Sequence, residues 1–80
     1  MIRVKSAEPV AGAYKLHLVF TDGSVKEYDF SYKLNDGVFR KLQDRSVFEN
    51  VSVRHGTVTW DDDRIDFDPE TLYAKGAPLS

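Results

Sequence analysis

The segment Tyr14–Phe30, YKLHLVFTDGSVKEYDF, constrains the fold more than any other stretch of the chain. Tyr14, Leu16, Leu18 and Phe20 recur at every second position, the period of a strand with one buried face. The alternation resumes at VKEYDF after Thr21-Asp22-Gly23. A two-residue Asp22-Gly23 loop would set Leu18 opposite Glu27 and Leu16 opposite Asp29, spoiling the apolar face. A three-residue loop sets Phe20 opposite Ser24, Leu18 opposite Lys26, Leu16 opposite Tyr28 and Tyr14 opposite Phe30. The reverse face then pairs Lys15 with Asp29, His17 with Glu27 and Val19 with Val25. A slip by a single residue turns every side chain over, so the pattern predicts the longer loop, with Gly23 at the left-handed position of a type I turn plus bulge.

A second hairpin is predicted in VSVRHGTVTW. A His55-Gly56 turn pairs Val53 with Val58 and Val51 with Trp60 on one face, leaving Ser52, Arg54, Thr57 and Thr59 on the other. Histidine tolerates positive φ better than most residues. Upstream, IRVKSA (2–7) alternates as a strand with Ile2 and Val4 inward, and EPVAGA (8–13) has the proline and glycine of a connection. In LNDGVFRKLQDRSVFEN, Val38, Phe39, Leu42, Val47 and Phe48 stand at helical spacings, with Asp36 and Asp44 as candidate N-caps. The predicted fold class is α+β: antiparallel β-hairpins or a meander of about five to six short strands, packed with two or three short helices. One domain over 1–80 is expected, with an ordered core at about 2–74 and a flexible tail at 75–80.

The most concentrated chemistry is WDDDRIDFDPETLY (60–73), which puts six carboxylates into positions 61–70. Calcium loops require a glycine at the sixth position and a glutamate at the twelfth. Counting from Asp61 these are Asp66 and Leu72, and counting from Asp66 the sixth is Thr71. Neither histidine lies in the cluster, which argues against zinc. A structural reading accounts for each residue. With Asp62-Asp63 as a tight turn, Trp60 pairs with Ile65, Val58 with Phe67, and Asp61 opposes Arg64 as an ion pair. Asp68 before Pro69 is a helix start, and Glu70 faces the positive end of the helix dipole. A cation site at Asp61, Asp62, Asp63 and Asp66 stays as the alternative.

Elsewhere the chemistry is thin. His17 and Glu27 have the makings of a base and its orienting carboxylate, or of a surface pair across strands. Ser24, Ser31, Ser46, Ser52, Thr57 and Thr59 lack a predicted neighbouring base, so no catalytic residue is assigned. Tyr14, Phe20, Tyr28, Phe30 and Tyr32 would suit base stacking, yet short helices need such a face to cover, which favours core. Net charge is −2, and the bases outside 61–70 are dispersed, so binding of nucleic acid through Arg3, Lys5, Lys15 and Arg54 lacks a concentrated basic face. No cysteine is present, and no apolar run approaches the roughly 20 residues of a membrane span. A cytoplasmic protein with no membrane association and no cofactor is expected.

Taken in order, LHLVF-x-DG, YDFS, GVFRKL-x-D, VFENVSV, GTVTW and IDFDPETLY resemble the small bacterial domain-of-unknown-function family numbered 2442. The resemblance runs from about Val4 to Tyr73. It implies a compact α+β domain without established catalytic residues. It also implies a gene that often neighbours another small protein, as in toxin–antitoxin pairs. Longer relatives append a helix-turn-helix, for which residues up to Ser80 leave no room, so direct DNA reading is not implied. Where the family has a proline, asparagine or glycine turn after the tryptophan, this chain has Asp61-Asp62-Asp63, in keeping with turn residues. With open strand edges, ten aromatics and no convergent reactive groups, the expectation is a non-enzymatic interaction module. Its partner would be another protein or a second copy of itself, a homodimer adding the burial that so small a core lacks. An antitoxin-like or regulatory role follows as the finer expectation.

Overall fold

The alternation of residues 14–30 builds the hairpin it predicts. In the computed structural model, which describes residues 1–79, β2 (Lys15–Phe20) and β3 (Val25–Asp29) pair antiparallel with Leu16 opposite Tyr28, His17 opposite Glu27 and Val19 opposite Val25. Gly23 takes φ +88° at the end of the loop. Leu16, Leu18, Phe20, Tyr28 and Phe30 are buried on one face, and the opposite face carries the charged pairs.

The strand before this hairpin is longer than its sequence suggests. β1 (Val4–Pro9) pairs with β2, and an irregularity between Val4 and Ser6 leaves Lys5 as an extra residue. Without that bulge, strict alternation would send Ser6 inward and Ala7 outward. With it, Val4, Ala7 and Pro9 oppose Phe20, Leu18 and Leu16 on the core face. Glu8-Pro9, predicted as connection, therefore belong to the strand. Proline is tolerated there because β1 is an edge, where a missing N–H breaks no ladder.

The second sheet has the order β4-β5-β6, from β4 (Ser52–Arg54), β5 (Thr57–Trp60) and β6 (Ile65–Asp66). Val53 opposes Val58 across a turn in which His55 and Gly56 both have positive φ, 56° and 76°. Such values belong to a type I′ turn. Trp60 opposes Ile65, as predicted. The faces differ from expectation in one respect: Thr57 and Thr59, assigned to the polar face, are buried along with Val58 and Trp60. Their hydroxyls make this possible, because Thr57 donates to the Phe67 carbonyl and Thr59 to an Asp63 carboxylate oxygen.

Between the sheets run 3-10 segments at Ser31–Lys33 and Gly37–Gln43, then α1 (Arg45–Glu49). The tighter winding brings i and i+3 together, so Phe39 and Leu42 share the inward face while Val38, expected inside, is exposed. Asp44 caps α1 by accepting from the Ser46 N–H at 3.0 Å. Asp36 precedes the longer 3-10 segment but makes no capping hydrogen bond; its carboxylate lies 3.8 Å from Lys33. The Arg45 guanidinium donates to the carbonyls of Val10 and Ala13, tying α1 to the β1–β2 connection. The indole N–H of Trp60 donates to the Phe48 carbonyl at 2.9 Å. Phe30 sits among aromatic rings, with centroids 5.4 Å from Trp60, 5.3 Å from Phe67 and 4.8 Å from Tyr28. Each such contact is worth about 0.5–1.5 kcal/mol beyond burial.

The last helix, α2 (Pro69–Lys75), starts as the sequence predicts: Asp68 accepts from the Glu70 N–H at 3.3 Å and the Thr71 hydroxyl at 2.9 Å. The flexible tail predicted at 75–80 is met differently. Lys75 closes α2, and β7 (Ala77–Pro78) pairs with β3, giving the first sheet the order β1-β2-β3-β7. Leu79 donates its N–H to the Val25 carbonyl, while Ser80 lies outside the described residues. The architecture is thus α+β, two antiparallel sheets with short helical segments packed about a shared core. No helix among the described residues is long and apolar enough to cross a membrane.

Candidate functional site

The acidic stretch and an open groove between β3 and α2 occupy different places in the fold. Asp61–Arg64 form the connection between β5 and β6, closed by an Arg64 N–H to Asp61 carbonyl bond of 3.1 Å. Asp61, Asp62 and Asp63 all have positive φ, at 55°, 54° and 67°. Aspartate visits that region more readily than most residues, which is one reason this residue type fills the turn.

Each carboxylate in the turn faces its own surroundings. Asp61 accepts from Lys41 Nζ at 3.0 Å, with Arg64 at 3.7 Å on its other oxygen. The Lys41 hydrogen bond, aided by both charges, holds the Asp61 carboxyl below the ordinary carboxylate value. The predicted Asp61–Arg64 pair is therefore present, and a nearer partner from the Gly37–Gln43 segment joins it. Asp63 accepts from the Thr59 hydroxyl at 2.9 Å and lies 3.4 Å from Arg54 and 3.8 Å from His55. Asp62 and Asp66 are exposed and make no ion pair among the described residues. The structure does not gather Asp61, Asp62, Asp63 and Asp66 around a common point, and no cluster of three or more metal-ligating side chains occurs among the described residues. The adjoining cleft is about 60 Å³, far below the ~300–1,000 Å³ of ordinary ligand pockets.

The other candidates are also placed. His17 Nε2 lies 3.5 Å from Glu27, and Lys15 shares the same carboxylate at 3.2 Å, a cross-strand surface group. The Ser46 hydroxyl donates to Asp44, and the threonine hydroxyls of β5 are engaged as described. Arg3 lies over Gly56, where a Cβ would come within 2.6 Å of its guanidinium, and donates to the His55 carbonyl. Arg54 turns to Asp63 and Lys15 to Glu27. Of the aromatic set, Phe20, Tyr28 and Phe30 are core, and Tyr14 packs at its margin; Tyr32 is 61% exposed.

Tyr32 marks the groove that the sequence reading missed. This open depression of about 630 Å³ runs between β3 and α2. Its apolar floor is Tyr28, Tyr32 and Phe67, with the Tyr28 and Phe67 centroids 5.4 Å apart. The Tyr28 and Tyr32 hydroxyls share a hydrogen bond of 2.5 Å. Burial, followed by that bond, raises the Tyr28 phenol above its ordinary value, so it is neutral at physiological pH. Lys33 and Thr71 line the walls, with Lys75 and Ala77 at the end nearest β7.

The charges around the groove are unequally engaged. Glu27 is held by Lys15 and His17. Asp29 accepts from the Ser31 N–H at 2.8 Å, the main cause of its lowered pKa, with Lys15 a lesser one. Lys33 is 3.8 Å from Asp36 and 5.9 Å from the Phe67 centroid. Lys75 has no ion-pair partner among the described residues. The arrangement offers an aromatic surface beside cations whose charge is weakly compensated. No spacing rule could have flagged it, because its walls come from 27–33 and 67–77 and use ordinary residue types.

A family model described as "Protein of unknown function (DUF2442)" matches residues 4–78. No curated protein and no solved structure matches the chain.

Proposed function

Since the chain belongs to the DUF2442 family, whose description carries no activity, we propose from its surface that it is a non-catalytic module that binds another protein. The observation that carries this reading is the β3–α2 groove, with the exposed Tyr32 ring beside half-buried Phe67 and with Lys75 free of an ion pair among the described residues. Tyrosine flanked by a polar rim is characteristic of protein contact surfaces. Strand edges support it less broadly than the sequence suggests. β1 is blunted by its bulge and by Pro9, and most of β3 is covered by β7. That concentrates the available surface at the groove.

The partner to try first is the product of an adjacent small gene, the antitoxin-like or regulatory pairing that the family resemblance implies. Co-expression and affinity purification, followed by size-exclusion with light scattering, test the proposal. A stoichiometric complex that is lost in Tyr32→Ala supports it. A lone monomer that neither recovers the adjacent gene product nor pairs with itself overturns it. A homodimer that persists unchanged in Tyr32→Ala would move the interface elsewhere and remove the groove from it.

A further inference from the structure

We infer that the groove receives an extended, acidic and aromatic-bearing segment of the partner protein, added beside β3 at the point where β7 stops. This deepens the binding-module reading and rests on it.

The first argument is backbone parity. In an antiparallel ladder, alternate residues of a strand direct N–H and C=O to opposite sides. Phe20 donates to Ser24 and Phe30 to Tyr14, so the even-numbered residues of this segment face β2. Leu79 donates to Val25, and Glu27 pairs with Ala77, so the odd-numbered residues face β7. Asp29 is the next in that series. The β3–β7 pairing ends at Glu27, because the chain preceding Ala77 is the end of α2. The N–H and C=O of Asp29 therefore point away from β2, with no strand among the described residues beside them, next to the groove. Partner segments commonly bind by adding a strand to such an edge.

The second argument is chemical complementarity. A side chain of the added segment directed at the floor would meet Tyr28, Tyr32 and Phe67, which suits an aromatic or large apolar group. Lys33 and Lys75 flank that floor, whereas Glu27 and Asp29 are already held by Lys15, His17 and the Ser31 N–H. Lys33 is engaged by Asp36 at 3.8 Å, whereas Lys75 has no ion-pair partner among the described residues, so a carboxylate of the incoming segment belongs beside Lys75. A free aromatic acid would use the floor and the lysines but would leave the Asp29 edge unpaired, which favours a peptide.

The test is an NMR titration of the isotope-labelled full chain with short capped peptides that alternate phenylalanine with glutamate or with lysine. Phenylacetate and oligouridylate serve as competing classes. The glutamate peptide should shift the Asp29 amide downfield and move the Tyr32 and Phe67 ring signals. Lys75→Glu should weaken it at least tenfold, while Lys5→Glu, outside the groove, should leave it unchanged. Tyr32→Ala should also weaken it, with Tyr32→Phe restoring most of the affinity. N-methylation of the peptide on alternate residues should abolish binding in one register only. Equal binding by the lysine peptide overturns the inference. So do shifts confined to other surfaces, or phenylacetate or oligouridylate matching the glutamate peptide at the same signals. An adjacent-gene partner that still binds Lys75→Glu and the Asp29 edge unperturbed keeps the module reading and overturns this one. Absence of both partner and peptide binding overturns both.

Discussion

The β5–β6 turn and the β3–α2 groove make opposite uses of polar side chains. The turn is dense in charge, yet Asp61 and Asp63 are each bound to nearby bases or hydroxyls, and the cleft beside them is small. In the groove, Lys75 has no ion-pair partner among the described residues and lies near the exposed Tyr32 ring and the uncovered end of β3. Local abundance of ionisable residues thus says little about how much charge is left unpaired. What distinguishes a binding surface is functional groups whose hydrogen-bonding and charge are not satisfied within the molecule.

If the region under the acidic turn is architecture, the largest loss of stability should come from the core residue beneath it. Trp60→Ala removes a fully buried side chain beneath it and should cost about 3–5 kcal/mol in urea unfolding. A loss below 1 kcal/mol would mean that this part of the core contributes little. Asp63→Ala should come next. It leaves the buried Thr59 hydroxyl without its acceptor and should cost about 1–3 kcal/mol, with Asp63→Asn recovering most of it. If the asparagine variant is as damaged as the alanine one, charge rather than hydrogen bonding is what Asp63 supplies.

Acid titration sharpens the contrast in another way. Asp22, Asp29, Asp44 and Asp61 all have folded-state pKa values below the ordinary one. The main causes are hydrogen bonds from Tyr73, the Ser31 N–H, Ser46 and Lys41 respectively. Their stabilisation is present above the unfolded value of about 3.9 and is lost as pH falls through the folded values. The thermal midpoint should therefore hold from neutral to about pH 5 and fall below it. The raised pKa of Tyr28 acts at the other end: its contribution is complete below the unfolded value near 10 and is lost as pH rises further. A midpoint that stays level from pH 7 to 3 would show that these aspartates titrate alike in folded and unfolded chains.

Smaller effects should separate the two regions cleanly. Asp62→Gly relieves a left-handed residue that has no ion pair among the described residues and should stabilise by about 0.5–1 kcal/mol. Lys75→Ala in the groove should change stability by less than about 0.5 kcal/mol, since it deletes an exposed side chain with no ion pair among the described residues. If instead Asp62→Gly destabilises, the turn holds a role that its contacts do not explain.

The sequence made part of this legible through periodicity. The register of β2 and β3 followed from Leu16, Leu18 and Tyr28 with the three-residue turn, because a one-residue slip sets Glu27 and Asp29 against the apolar face. Asp68-Pro69 and the His55-Gly56 turn were equally local. Periodicity failed where a tertiary neighbour decides the outcome. Lys5 bulges so that Val4 and Ala7 can share a face, and Thr57 and Thr59 are buried because Phe67 and Asp63 accept from them. The groove was illegible for the same reason at larger scale: Tyr32 and Lys75 come to line one depression only once α2 has packed against β3.

That docking has a kinetic and a thermodynamic side. The hairpin of β2 and β3 is local and can close within microseconds, whereas β7 reaches β3 across most of the chain and must await the intervening elements. With so few residues in the ladder, it should also be among the earliest segments to open in native-state hydrogen exchange. Because Ala77 forms one wall of the groove, any occupant that needs that wall intact will slow exchange along Val25–Glu27. Protection of a terminal strand thereby becomes a ligand assay that requires no knowledge of the ligand.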